Sequence, residues 1–190
     1  MFRKATTIES LFKFDYQIER EHSPATMNEI EFEQFYNEHS RPLWAYIRRL
    51  AGRVEIADDL VQESFLKFLG ANLRTDTNKK AYLYRIATNL VYDYFRRYQR
   101  EAKRQARIAS NMSEEIYEPF APDGELTEVF RELNLQERAL LWLAYVEGHQ
   151  HKEIGEMLGL KSLSVRVLLF RARRKLVNLL EAKNLKVEKL

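Results

Sequence analysis

GLKSLSVRVLLFRARRKL, residues 159–176, joins the apolar run of a core helix to the arginines of a helix that meets phosphates. At about 100° per residue, Val165, Leu169, Ala172 and Leu176 line one stripe, with Leu168 at its edge. The opposite side carries Leu163, Val167, Phe170, Arg171 and Arg174, flanked by Arg166 and Arg173. One face therefore belongs to a core and the other to a partner. Guanidiniums suit phosphates and guanine edges, and small apolar groups can touch thymine methyls in a major groove. A protein partner meeting Leu163 and Val167 fits the same pattern.

Just upstream, HQHKEIGEMLGL (149–160) reads as a short helix closed by Gly159, so the two stretches form a helix-turn-helix. Ile154, Leu158 and Leu160 are expected to pack inward, with Gly155 allowing the next helix to approach closely. ELTEVFRELN (125–134) and LQERALLWLAYVEG (135–148) supply two more helices to this module.

The whole chain has 190 residues, 45% of them hydrophobic, with only 6 Gly and 4 Pro. Such a composition builds cores but supplies little turn punctuation, which predicts an all-α protein. There is no cysteine, so disulfides and thiolate metal sites are excluded, in keeping with a reducing cytoplasm. No run of about 18 apolar residues is present, and no membrane insertion is expected. The N-terminus lacks the apolar centre of a signal peptide.

The net charge of +3 averages over opposed blocks. YFRRYQREAKRQAR (94–107) and RARRKL (171–176) are strongly basic, whereas SNMSEEIYEPFAPDGE (110–125) holds acids and no base. Two positive surfaces joined by a negative strap point to a polyanion-binding protein. Pro119, Pro122 and Gly124 favour an extended path for the strap. The expected organisation is an N-terminal extension (1–27), a helical domain (28–109), an acidic flexible linker (110–125), a helix-turn-helix domain (126–182) and a tail (183–190).

Within the first domain, EIEFEQFYNEH (29–39) forms a helix that breaks at Ser40-Arg41-Pro42, where proline opens a second, LWAYIRRLAG. In VEIADDLVQESFLKFLG (54–70), Ala57, Leu60, Val61, Ser64, Phe65, Phe68 and Leu69 share one side, and Asp59, Gln62, Glu63 and Leu66 the other. A polar loop, ANLRTDTNKK, leads into a long helix from Ala81 to Arg107. LFKFDYQI (11–18) is compatible with a short helix or a strand.

No nucleophile elbow, phosphate loop or dinucleotide fingerprint is present, so no enzyme and no cofactor are expected. His149 and His151 lack a third ligand nearby. Asp58, Asp59 and Glu63 have neither a histidine nor a glycine-rich loop beside them, which suits a solvated or partner-facing surface. Tyr82, Tyr84, Tyr92, Tyr94, Phe95 and Tyr98 lie next to basic residues. They could stack on unpaired bases, or serve mostly as core.

DDLVQESFLKFL followed by AYLYRIATNLVYDYFRR resembles the core-domain signatures of bacterial RNA polymerase sigma factors of the extracytoplasmic-function (ECF) group. LQERALLWLAYVEGHQHKEIGEMLGL followed by VRVLLFRARRKL is similar to the same group's C-terminal helix-turn-helix. The resemblance spans roughly residues 30–108 and 126–180, in family order.

It implies a sigma region 2-like bundle and a region 4-like domain in a dissociable promoter-specificity subunit of RNA polymerase. Asp59, Gln62, Glu63 and Leu66 would dock on the clamp helices of the polymerase's largest subunit. Lys79, Lys80, Tyr82 and Asn89 would engage the −10 element and a flipped base, Tyr82 standing where tryptophan is common. Arg96, Arg97 and Arg100 would hold the duplex upstream. Lys161, Arg166, Val167, Phe170, Arg171 and Arg174 would read the −35 element, while this domain leans on the flap of the second-largest subunit. The linker would thread the channel that later carries RNA. An anti-sigma factor is a typical partner. The chain departs from the family pattern at Leu163, where glycine is common, and at Val167 and Leu168, where small or basic residues are. Asn134 stands for a frequent proline, and Lys161 occupies a usual cap position, leaving Ser162 as the expected cap.

Overall fold

The computed structural model describes residues 27–108, 125–183 and 185, and every regular element among them is helical. The acidic strap from 110 to 124 and LFKFDYQI lie outside the described residues.

Helix α1 (Glu29–Ala51) begins at a reciprocal cap: Glu31 N–H donates to Asn28 Oδ1 at 2.8 Å, and Asn28 N–H to Glu31 Oε2 at 3.1 Å. It ends at Gly52, whose φ of 85° is left-handed backbone that glycine adopts without strain. The expected break at Pro42 does not occur; the proline sits inside one continuous helix. Pro42 and Glu38, whose carbonyl loses its partner, are exposed to water. The buried stripe Phe35, His39, Leu43, Tyr46, Ile47 and Leu50 runs through both halves. An interior proline costs about 3 kcal/mol. Each large side chain in that stripe contributes roughly 1.5–3 kcal/mol by burial, so the core keeps the helix whole.

Helix α2 (Val54–Leu69) buries Ala57, Leu60, Val61, Ser64, Phe65 and Phe68 against α1. Leu69, expected on that side, is exposed, since it lies about 100° round the helix from Phe68, the last buried position of the stripe. Trp44 Nε1 donates to Asp58 Oδ1 at 2.6 Å, tying α1 to α2. Helix α3 (Lys79–Ile108) starts two residues before the expected point. Asn78 caps it, its Oδ1 accepting from Ala81 N–H at 3.1 Å, so Lys79 and Lys80 form the first turn and not a loop. In the shared core, Thr88 Oγ1 donates to the Tyr84 carbonyl at 2.7 Å. Its one hydrogen is thereby used, so Tyr46 is the donor in the 2.8 Å bond between the two hydroxyls.

The C-terminal helices are α4 (Glu125–Arg131), α5 (Leu135–Leu141), α6 (His151–Leu158) and α7 (Ser162–Ala182). Asn134 caps α5 through Glu137 N–H at 2.8 Å, so it starts the helix where a proline otherwise would. A single wide π turn, Trp142–Val146, follows α5. Between α6 and α7, a Cβ on Gly155 would lie 2.7 Å from the Leu160 carbonyl oxygen, so only glycine fits this approach. Ile154 is buried as expected, Leu158 and Leu160 pack partly buried against the same core, and Met157 fills a further core position. Ser162 is not a cap. Lys161 holds that position, and its side chain makes no capping bond to the start of α7.

The two sets of helices touch. Helix α6 packs along α3, and α5 against α1.

Candidate nucleic-acid interface

Three outward surfaces carry the residues singled out above. On α2, Asp59, Gln62 and Leu66 are exposed, Leu66 at 69%. Glu63 is half-exposed and faces Lys67 at 3.5 Å. A leucine so open beside carboxylates has no role in the core of this bundle.

On α3, the helical repeat places Tyr82, Asn89, Arg96 and Arg100 within about 40° of one another, opposite the buried Leu83, Ala87 and Val91. Asn89, Arg96, Arg97 and Arg100 are exposed, with Arg96 3.7 Å from Asp93. Tyr82 is half-buried, its ring 6.4 Å from that of Phe68. Arg97 and Lys79 flank this stripe. Lys80 does not join it: it points to the core side, its Nζ 5.8 Å from the Tyr84 ring. No acid lies in the first turn of α3, where the helix dipole would favour one, so its positive end carries two further cations.

Of the aromatic cluster, Tyr84 is fully buried and unavailable for stacking. Burial raises its hydroxyl well above the usual tyrosine range, and the neighbouring Glu147 adds to the effect. Tyr92 is pushed up to about 12 by burial. Tyr94 stacks on Tyr98 with centroids 6.5 Å apart and meets Phe95 edge-on.

On α7, Val165, Leu169, Ala172, Leu176 and Leu180 are buried, so the two-sided reading of this helix holds. Leu163 is 84% exposed, Phe170 58% and Val167 49%. Lys161, Arg166, Arg171, Arg173 and Arg174 are exposed around them. Lys175 turns away and donates to Glu137 Oε2 at 2.8 Å, clamping α7 to α5.

Between α3 and α6 lies an interlock centred on Glu147. Its carboxylate accepts from Tyr84 Oη at 2.7 Å and from Trp142 Nε1 at 2.9 Å, and His149 Nε2 lies 3.2 Å away. Arg85 Nε donates to the Glu156 carbonyl at 3.0 Å, and its Nη2 contacts the same oxygen. Asn78 Nδ2 donates to Glu156 Oε2 at 3.1 Å, and Arg49 lies over the Phe130 ring at 4.1 Å.

The family described as Sigma-70 region 2 matches residues 35–101, and that described as Sigma-70, region 4 matches residues 123–176. The chain is 31% identical over 144 residues to the ECF RNA polymerase sigma factor SigW of Bacillus subtilis, covering 67% of this chain and 77% of SigW. This protein belongs to the ECF sigma factors. As a sigma factor it is a DNA-binding transcription initiation factor and not an enzyme. SigM of the same bacterium is 22% identical over 149 residues, covering 76% of this chain and 91% of SigM. Among solved structures, CnrH in complex with the cytosolic domain of CnrY is similar with a TM-score of 0.60 and 28% identity, covering 82% of this chain and 90% of that one.

The interlock of this sigma factor was the part hidden from sequence reasoning, which passed over Asn78, Arg85, Glu147 and Glu156. Glu147 faces Trp142 because of the π turn, in which Glu147 N–H donates to the Trp142 carbonyl at 3.1 Å. In α-helical winding, five residues place the two side chains roughly 140° apart. The metal reading of His149 also has a structural answer: its nitrogens lie 3.2 Å from Glu147 and 3.6 Å from Glu153, and His151 is exposed. Among the described residues no helix is long and apolar enough to cross a membrane.

Proposed function

We propose that this sigma factor binds core RNA polymerase, directs it to promoters bearing two elements, and opens the downstream element by binding energy alone. The outer face of α2, with Asp59, Gln62, Glu63 and Leu66, docks on the clamp helices of the largest subunit. Tyr82 and Asn89, with Lys79 at the start of α3, engage the −10 element. Arg96, Arg97 and Arg100 hold the duplex beside it. Lys161, Arg166, Val167, Phe170, Arg171 and Arg174 serve the −35 element, and the helix-turn-helix domain leans on the flap. Domain limits at 28–109 and 126–182, with an acidic linker between them, belong to the same proposal.

The observation that carries this reading is the cationic outer stripe of α3, set opposite the core, together with the open basic face of α7. Extruding a base costs a few kcal/mol, which contacts to the captured base and strand offset. No nucleotide hydrolysis enters.

The elements are separated by about 25 base pairs, or roughly 85 Å at 3.4 Å per pair. A domain packed directly on α3 cannot span that distance, so α6 leaves α3 when the protein works. An inhibitory partner of the anti-sigma kind, holding the chain in the cytoplasm away from polymerase, fits the CnrH complex with a cytosolic domain of a second protein.

The test is run-off transcription from a promoter library with the chain and its cognate core polymerase, using the free chain as a duplex-binding control. Specific transcripts that need both components are expected. Tight sequence-specific duplex binding by the free chain, with no association with core, would instead describe an ordinary regulator. Core binding without initiation from any promoter would describe a non-initiating paralogue.

A further inference from the structure

We infer that the outer face of α7 selects its DNA element through thymine methyl groups, with Leu163, Val167 and Phe170 as the specificity-determining residues. This rests on the assignment of α7 to the upstream promoter element and makes it chemically specific.

Along the exposed stripe of α7 the chemistry changes with position. The first turns present Leu163 and Val167, with Arg166 at their flank, then Phe170, and after it Arg171 and Arg174. In a helix-turn-helix the N-terminal residues of the second helix reach the base edges, and later turns climb towards the backbone. The apolar groups therefore sit where bases are read, with Arg166 beside them and Arg171 and Arg174 on the later turns, towards the phosphates.

On the major-groove edges of unmodified DNA, the apolar group is the C5-methyl of thymine; the rest are hydrogen-bond donors and acceptors. A leucine pressed against guanine N7 and O6 strips water from them and returns no bond, which is unfavourable. Against a thymine methyl the same side chain buries apolar surface on both partners. An apolar reading face thus discriminates for thymine by attraction and against guanine by desolvation.

The charge around the stripe favours nucleic acid over a protein. Lys161, Arg166, Arg171, Arg173 and Arg174 surround the apolar residues, and the acid in α7, Glu181, stands in the last turn. A phosphate backbone on either side of a groove complements that rim.

Holoenzyme reconstituted from the full chain and cognate core polymerase is used to select from duplexes randomised in the upstream segment. Each thymine of the enriched element is then replaced by deoxyuridine, which removes only the methyl. Expected are an element containing thymines and a loss of about fourfold in occupancy per contacted methyl, the value of one buried methyl-sized group. Leu163→Ala abolishes the thymine–uracil difference at one position. Arg174→Ala weakens thymine and uracil templates alike.

Enrichment of an upstream element that tolerates uracil throughout overturns the inference and leaves the proposed function standing. Failure to enrich any upstream element overturns both. If Leu163→Ala leaves the thymine preference intact but weakens binding to core, the stripe belongs to a protein contact and the inference is wrong.

Discussion

Tyr84, in the second turn of α3, donates a 2.7 Å hydrogen bond to Glu147, at the end of the π turn, across 63 residues of chain. This bond ties a buried residue on the core side of α3 to the helix-turn-helix domain, and Trp142 and His149 converge on the same carboxylate. A carboxylate this enclosed is tolerated because donors replace its lost water. Replacing Glu147 with Leu leaves the Tyr84 hydroxyl and the Trp142 N–H unpaired. It should destabilise the chain by about 2–4 kcal/mol. Tyr84→Phe, which leaves the carboxylate its other partners, should cost about 1 kcal/mol. Urea denaturation of the two variants measures both. Equal effects would mean that Glu147 is not the shared acceptor.

The α2 face is predicted to act through contact and not through stability. Gln62→Lys with Glu63→Lys places cations on an outward surface, so thermal unfolding should move little. Affinity for core polymerase should fall by about tenfold or more, since 1.4 kcal/mol corresponds to each tenfold step. Surface plasmon resonance against immobilised core reads this directly, and an unchanged affinity would remove α2 from the polymerase contact.

Gly155 has no room for a side chain. Gly155→Ala would bring a Cβ to 2.7 Å from the Leu160 carbonyl oxygen, backbone that cannot swing aside. Forcing α6 and α7 apart should cost about 1–3 kcal/mol, in the range of overpacked cores. A calorimetric scan should show a lowered Tm, and an unaltered Tm would contradict the close approach drawn here.

His39 is expected to make the protein acid-sensitive. Burial lowers its pKa below the ordinary 6.5, with Glu38 opposing the shift and Lys80 adding to it. The unfolded chain therefore takes up a proton at a higher pH than the folded one. Stability is full above about pH 6.5 and declines as pH falls towards the lower folded value. His39→Leu removes this contribution. Urea midpoints at pH 7.5 and pH 5.5 should differ less for the variant than for the parent, and an identical difference in both would exclude His39 as the cause.

How far these features were legible depended on the range of the forces behind them. The two faces of α7 and the buried side of α2 follow from helical periodicity, which is local, and both were readable. Pro42 misled because its cost is local, whereas the burial that overrides it comes from α2 and α3. Lys79 and Lys80 looked like loop because cations at a helix start oppose the dipole. Asn78, a good cap three residues before Ala81, was the signal that α3 starts there. Leu69 stood at the edge of the period of α2, about 100° round from the buried Phe68. Glu147 was invisible in principle, since its position rests on one π turn and its partner stands 63 residues away.

Promoter opening driven by binding alone is tested most directly by permanganate probing of unpaired thymines in the −10 element. With core polymerase and the full chain, and no nucleoside triphosphate, reactive thymines are predicted there; Asn89→Ala should diminish them, and either component alone should give none. A duplex that stays unreactive while polymerase and chain are bound to it would contradict the account.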